Sequence, residues 1–304
     1  MLTLVTGATG FVGAKLVPAL QSAGHDVRAF AREPARVPAD VPVVQGDAVT
    51  GAGLTEAMEG VDVAYFLIHS MEASAGDGFG ELERRSVENF VEAARTAGVP
   101  RAVYLGGPVP EGARASTHLS SRLVVEEALM AGFEEAVALR ASIIIGARSR
   151  SFRFLVRLVE RLPALPLPPW RSFRTAPIDE RDVLAMLVSA ATTEHARNGM
   201  SLDIAGREVL TYEQIIETIA DLMLVGRMPI RLGFSASAVA SRVAAAIAGE
   251  DHALIGPLME GLTSDLLPRD DRAAELLGVR LHTFAAAVEH ALREWEQSEP
   301  LAAR

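Results

Sequence analysis

Residues 2–13 read Leu-Thr-Leu-Val-Thr-Gly-Ala-Thr-Gly-Phe-Val-Gly. Leu2–Thr6 is a short apolar run of strand type, and it leads straight into Gly7, Gly10 and Gly13. Val12, Leu16, Val17 and Leu20 follow at helical spacing, in a stretch that ends near Gly24. Strand, glycine turn and helix in this order read as a dinucleotide-binding element. A pyrophosphate must reach backbone N–H groups at a helix N-terminus, where the partial positive charge lies. Gly7 permits the sharp turn. A side chain at Gly10 would block the approach, and Gly13 lets helix and strand pack closely. Gly7, Thr9, Gly10, Phe11, Val12 and Gly13 are the candidate residues of this turn. The plain alternative is a tight turn that binds nothing, and the position at a strand-to-helix junction weighs against it.

Outward from this unit, strands and helices alternate as a parallel sheet requires. Strands are expected at Asp26–Phe30, Val41–Val44, Val61–Ile68, Arg101–Leu105 and Ala136–Ile145. The fourth is nearly all apolar, as a strand buried on both faces should be. Helices are expected near 52–58 and over Phe79–Ala97 and Thr117–Ala131. The fold class is α/β: a Rossmann-type doubly wound parallel sheet with right-handed crossovers and a smaller α-rich C-terminal lobe. Residues 148–178 depart from the alternation, with an arginine-rich amphipathic helix and the proline cluster LPALPLPPW. Helices should follow Asp179 and Thr211, Met228–Leu232 suits a strand, and alanine- and leucine-rich helices should fill 235–296. Residues 1–150 are read as the NAD(P)-binding domain, with 176–204 returning to it. Residues 151–304 form mainly the substrate lobe, and the two are interleaved.

Composition narrows the function. The chain has 304 residues and is 49% hydrophobic, ample for a sizeable core. A net charge of −10 argues against a nucleic-acid-binding surface. There is no cysteine, hence no disulfide, thiolate metal site or cysteine nucleophile. No metal site is expected. A strand beginning at residue 2 leaves no room for a signal peptide, and no 18-residue apolar run is free of charge. The expectation is a cytoplasmic protein without stable membrane insertion, acting on a small molecule. Lys15 is the sole lysine, whereas arginine is abundant.

The end of strand two decides between cofactors. NAD-binding folds usually place Asp or Glu there to accept from the ribose 2′-OH. Here the chain reads Arg28-Ala29-Phe30-Ala31-Arg32-Glu33-Pro34, with Arg36 beyond. Guanidinium suits a phosphate dianion through bidentate charge-assisted hydrogen bonds. NADP(H) is therefore expected over NAD(H), with Arg32 as the discriminating residue. The alternatives are a solvated Arg32 and a Glu33 that reaches the ribose.

With TGATGFVG at residues 6–13 and GxxGxxG spacing, the sequence resembles the extended and atypical short-chain dehydrogenase/reductase superfamily. It is most similar to the NmrA-like, NAD(P)H-binding branch near the YbjT-type proteins. The resemblance implies an arginine at position 32 and places Asp47 near the adenine. It puts Leu67, Ile68 and His69 beside the cofactor riboses and Gly106-Gly107 at the ligand-binding edge of the sheet. Leu139-Arg140 through Gly146, then Pro177 and Asp182, look like the branch's LRxxxxxG and PIxxxDV elements.

Ordinary members of the superfamily use Tyr-x-x-x-Lys on one helix face, the lysine lowering the tyrosine pKa. This chain has no such pair. Tyr65, Tyr104 and Tyr212 are followed at i+4 by His69, Pro108 and Ile216. Aligned with the family, His118 stands where tyrosine is expected and Arg122 where lysine is expected. Histidine titrates near neutrality, so His118 can serve as a proton donor. Arg122 can supply charge but cannot shuttle a proton. Alternatively both only shape the cofactor pocket, and His69 is a second candidate donor. The reading is an atypical reductase acting on an apolar carbonyl, enone or quinone-like compound. A non-catalytic NADPH-binding redox sensor or stabilising subunit is the alternative. Phe152, Phe154, Trp170, Phe173, Met223, Met228 and Phe234 are candidates for an apolar pocket, or for ordinary core. The arginines of 148–174 suit an anionic substrate, the cofactor phosphates or a lipid headgroup, or a solvated helix face with ion pairs.

Overall fold

The computed structural model describes residues 1–68, 79–108, 117–196, 199–231, 264–299 and 301. The first half alternates as β1 (Leu2–Thr6), α1 (Gly13–Ser22), β2 (Asp26–Ala31), β3 (Val43–Gln45), α2 (Leu54–Met58), β4 (Val63–Phe66), α3 (Phe79–Ala97), β5 (Arg101–Gly106), α4 (Thr117–Gly132) and β6 (Glu135–Ala141). The second half runs β7 (Ile144–Ile145), α5 (Arg150–Arg161), β8 (Ala164–Leu167), β9 (Arg174–Thr175), β10 (Ile178–Asp179), α6 (Glu180–Ala190), β11 (Met200–Ile204), β12 (Leu210–Thr211), α7 (Tyr212–Leu222) and β13 (Met228–Arg231). A short helix Ala273–Leu276 and a C-terminal helix Phe284–Ser298 follow.

Seven strands form one parallel sheet in the order β11-β6-β5-β4-β1-β2-β3. The strand order reverses between β1 and β4, which opens a crevice at their carboxyl ends. All four residues of β4 are buried, because helices cover both faces of the sheet. One core packs α1 and α6 on one face through Leu16, Leu20, Val183 and Leu187. The other packs α2, α3 and α4 through Leu54, Phe90 and Leu129. A third core lies outside the sheet and joins α5, α7 and the C-terminal helix around Phe152, Ile216 and Trp295.

The chain returns to the sheet late. β11 pairs with β6 from Met200↔Val137 to Ile204↔Ala141. A buried ion network fixes this edge. Arg140 Nε donates to Glu126 Oε2 at 2.7 Å, and Arg140 Nη1 lies 3.4 Å from Asp203 Oδ1. Arg269 Nε adds a second cation to Asp203 at 3.0 Å, which ties the segment after residue 264 to β11.

One strand differs from the expectation. Ala136–Ile145 is not continuous: β6 stops at Ala141, and Ile144–Ile145 pairs with Ile178–Asp179 instead of the main sheet. At the break Thr175 Oγ1 donates to Ser142 Oγ at 2.9 Å, which turns the chain toward the second lobe. Met228–Arg231 pairs in parallel with Ala164–Leu167, the strand of the proline cluster. Of the expected helices in 235–296, those within 232–263 lie outside the described residues.

Candidate nucleotide and substrate site

The glycine turn sits at the point where the strand order reverses. Gly7 has φ +68°, and a Cβ there would stand 2.5 Å from the Leu67 carbonyl oxygen. Only glycine accepts both the left-handed backbone and that approach. Gly10 N donates to the Gly7 carbonyl at 2.9 Å, and a Cβ on Gly13 would collide with that same carbonyl. Thr6 stitches the two central strands just beneath: its hydroxyl donates to Tyr65 O at 2.8 Å and accepts from Leu67 N at 3.2 Å. Helix α1 has no side-chain cap and no acidic residue in its first turn. Ala14 N and Lys15 N already donate to Gly10 O and Val12 O, so this end offers an anion its dipole and the N–H groups that precede Ala14.

The turn opens on a cavity of about 630 Å³. Gly7, Thr9, Gly10, Phe11, Val12 and Gly13 form its floor, and Arg32 and Arg36 line it beyond β2. Asp47, Ile68 and Gly106 line it as well. Asp47 does not point both oxygens into the space, since Oδ1 accepts from Val49 N at 2.8 Å. Asn89 on α3 holds the same loop by donating to Ala48 O and Val49 O at 2.8 and 2.9 Å. Arg36 is exposed and lies 3.7 Å from Glu33. His69 falls outside the described residues.

On the other wall, Leu119 and Arg122 of α4 face the cavity. His118 lies one turn before Arg122 in the first turn of this helix. Arg122 is buried, with Nε 3.9 Å from Glu83 Oε1 on α3, and its carbonyl accepts from Tyr104 OH at 3.3 Å. None of the three tyrosines is primed as an acid. Burial pushes the Tyr104 phenol up to about 12 and moves those of Tyr65 and Tyr212 upward as well. Tyr65 OH is spent on the Leu187 carbonyl at 3.0 Å. The sole lysine is elsewhere: Lys15 pairs with Glu180 and, at 2.6 Å, with Glu294.

Arg148 and Arg150, of the arginine cluster singled out in the sequence, line the cavity, whereas the other late residues that line it had no local signature. Ser142, Ile143, Arg148 and Ser149 reach it from the segment between β6 and α5, Arg150 from the start of α5, and Tyr212 and Leu266 from still later in the chain. Of the seven candidate apolar-pocket residues, Phe154 alone among the described ones lines the cavity. Phe152 and Met223 are fully buried in the third core, Trp170 and Phe173 pack on its edge, and Met228 is 68% exposed. Phe234 lies outside the described residues. Helical geometry explains the split between Phe152 and Phe154: two residues apart on α5, they face different sides.

The family elements around Asp182 serve packing. Its carboxylate accepts from His282 N at 2.9 Å and meets His282 Nδ1 at 2.6 Å. Glu180 is the unusual neighbour. Its carboxylate is 3% exposed and lies against Gly146 and the Phe11 ring, directly behind the glycine turn. Burial pushes its pKa up to about 7; Lys15 pulls it down and Glu294 pushes it further up.

A parallel sheet of this order, with a glycine turn over a cavity at the reversal point, is the architecture of a dinucleotide-binding protein. The family described as NAD(P)H-binding matches residues 7–143. A ceramide reductase of Caulobacter vibrioides (strain NA1000 / CB15N) is 29% identical over 232 residues, spanning 75% of this chain and 72% of its own. A (4-alkanoyl-5-oxo-2,5-dihydrofuran-3-yl)methyl phosphate reductase of Streptomyces griseus subsp. griseus is 30% identical over 238 residues, 76% of each chain. The UDP-glucose 4-epimerase of Thermus thermophilus, solved with NAD, superposes with a TM-score of 0.72 at 18% identity, over 98% of this chain and 100% of that one. The chain belongs to the atypical short-chain dehydrogenase/reductase superfamily, in its NmrA-like, NAD(P)H-binding branch.

Proposed function

We propose that this protein is a reductase that uses NADPH in preference to NADH and passes hydride to a small, mainly apolar carbonyl, enone or quinone-like compound. The observation that carries the cofactor preference is the cavity wall beyond β2. Arg32 and Arg36 line it, and among the described residues no carboxylate lines the cavity at that strand end. A bidentate guanidinium favours the 2′-phosphate over a hydroxyl. The bound nicotinamide supplies the hydride. The chain's own residues do the rest. Gly7–Gly13 and the open N-terminus of α1 bind the pyrophosphate. Asp47, Ile68, His69 and Gly106 flank the nucleotide. Residues 1–150 with 176–204 hold the cofactor, and the rest of 151–304 forms mainly the substrate lobe. His118 donates the proton that the substrate oxygen takes up, and Arg122, fixed by Glu83, supplies positive charge beside it.

A second reading is favoured by the tyrosines. All three phenols are raised by burial, and the only lysine is held by two carboxylates away from them. That suits a non-catalytic NADPH-binding sensor or stabilising subunit. Calorimetric titration decides the cofactor. NADPH should bind tighter than NADH, and Arg32→Ala should shrink that difference by roughly 1–3 kcal/mol, the scale of hydrogen bonds to charged groups. Equal affinities in the unmodified protein refute the preference. NADPH oxidation across a panel of quinones and enones separates the reductase from the sensor.

A further inference from the structure

We infer that the segment from Arg148 into α5 is an anion subsite, and that the substrate is an apolar molecule carrying a phosphate or carboxylate group. The inference rests on the reading that the glycine-turn end of the same cavity holds the dinucleotide. The chain has 39 acidic and 29 basic residues, yet the described residues lining the cavity invert that balance. Five are arginines, Arg32, Arg36, Arg122, Arg148 and Arg150, and one is a carboxylate, Asp47. Cofactor phosphates account for part of this excess. Arg32 and Arg36 lie beyond β2, and the uncapped α1 N-terminus faces the turn. Arg122 has Glu83 beside it. Arg148 and Arg150 come instead from the segment that opens the second lobe.

Position sets these two apart from the neighbouring arginines. Of the arginine cluster in 148–174, Arg148 and Arg150 are the members that line the cavity. The same helix supplies the apolar wall. Phe154 stands four residues after Arg150, on one helix face, and Leu155 follows it into the cavity. A cation at the start of α5 and an aromatic one turn later suit an anionic group joined to an apolar body. Charge-assisted contacts fix the head, and burial holds the body.

Hexyl phosphate, with hexanol and inorganic phosphate as its separate halves, is the probe. Each is titrated calorimetrically into the NADPH-loaded protein. Hexyl phosphate should bind more tightly than either half. Arg148→Ala and Arg150→Ala should each weaken it about tenfold or more, the scale of a lost hydrogen bond to a charged group. NADPH affinity should stay within about twofold on that scale. Arg148 is exposed, so its replacement leaves the core intact, and Arg148→Lys should restore part of the affinity. Two results overturn the inference. One is hexyl phosphate binding no tighter than hexanol. The other is an NADPH affinity that falls in step with hexyl phosphate, which assigns both arginines to the cofactor. The titration is repeated without NADPH. Arginine-dependent hexyl phosphate binding in a protein that takes up no NADPH would sink the cofactor reading and leave the subsite standing.

Discussion

Replacing Glu180 by glutamine isolates one buried charge behind the glycine turn. Glu180 Oε1 meets Lys15, while Oε2 is buried with no hydrogen-bond partner among the described residues. Desolvation raises the carboxyl from 4.5 to about 7. The folded protein thus holds this proton more tightly than the unfolded chain does. Between about pH 4.5 and 7 the contribution to stability falls as pH rises, and above 7 it is constant at its lowest value. At about 1.4 kcal/mol per pH unit, the full span is at most about 3.5 kcal/mol. Lys15 and Glu294 share the site, so the part that one substitution removes is about 1–2 kcal/mol. Glutamine matches the shape against Gly146 and Phe11 but does not titrate. Urea unfolding of both proteins at pH 5 and pH 8.5 measures the effect. From the lower to the higher pH, Glu180→Gln should gain about 1–2 kcal/mol on the unmodified protein. Parallel stability curves would refute the assignment of this proton to Glu180.

Gly10→Val should fold normally and lose NADPH binding. A Cβ at Gly10 meets only the Gly7 carbonyl, at 3.1 Å, so the added bulk goes toward the ligand; circular dichroism and calorimetry check the two halves. Arg140→Met should destabilise by about 3–5 kcal/mol in denaturant unfolding, because it leaves the buried Glu126 and Asp203 short of a cation. If His118 is the acid, kcat for a carbonyl substrate should fall as pH rises through the imidazole range, since the donor loses its proton. His118→Phe should then cost about 10²–10⁴ in kcat with NADPH affinity kept, and an unchanged kcat and pH profile eliminates that role.

The fold class was legible because its signals are local and repeated. Apolar runs at β1, β4 and β5 alternate with periodic helices, and Phe79–Ala97 carries its whole pattern in nineteen residues. The break after Ala141 was not legible. Apolar residues flank it on both sides, and the partners that turn Ser142 aside, Thr175 and Ala176, lie far along the chain. The site divides in the same way. Its glycine floor is one contiguous stretch, whereas Tyr212 and Leu266 arrive by tertiary packing that leaves no mark on their neighbours. Phe152 and Trp170 take the core alternative, and aromatic identity could not decide it, since bulk alone does not separate a cavity wall from a core.

The late return of β11 bears on how the chain emerges during synthesis. β6 is complete at residue 141, but its outer neighbour begins only at residue 200. Throughout that interval the nascent sheet ends in an open row of backbone donors and acceptors, the kind of edge that recruits foreign strands. Arg140 sits near the end of this exposed strand, with Glu126 of the preceding helix already present to hold it. An inward charge is costly to bury against a stranger's apolar strand, and Asp203 is the residue that receives it in the finished sheet. The same guanidinium that locks the mature edge thereby guards it before its partner has been made.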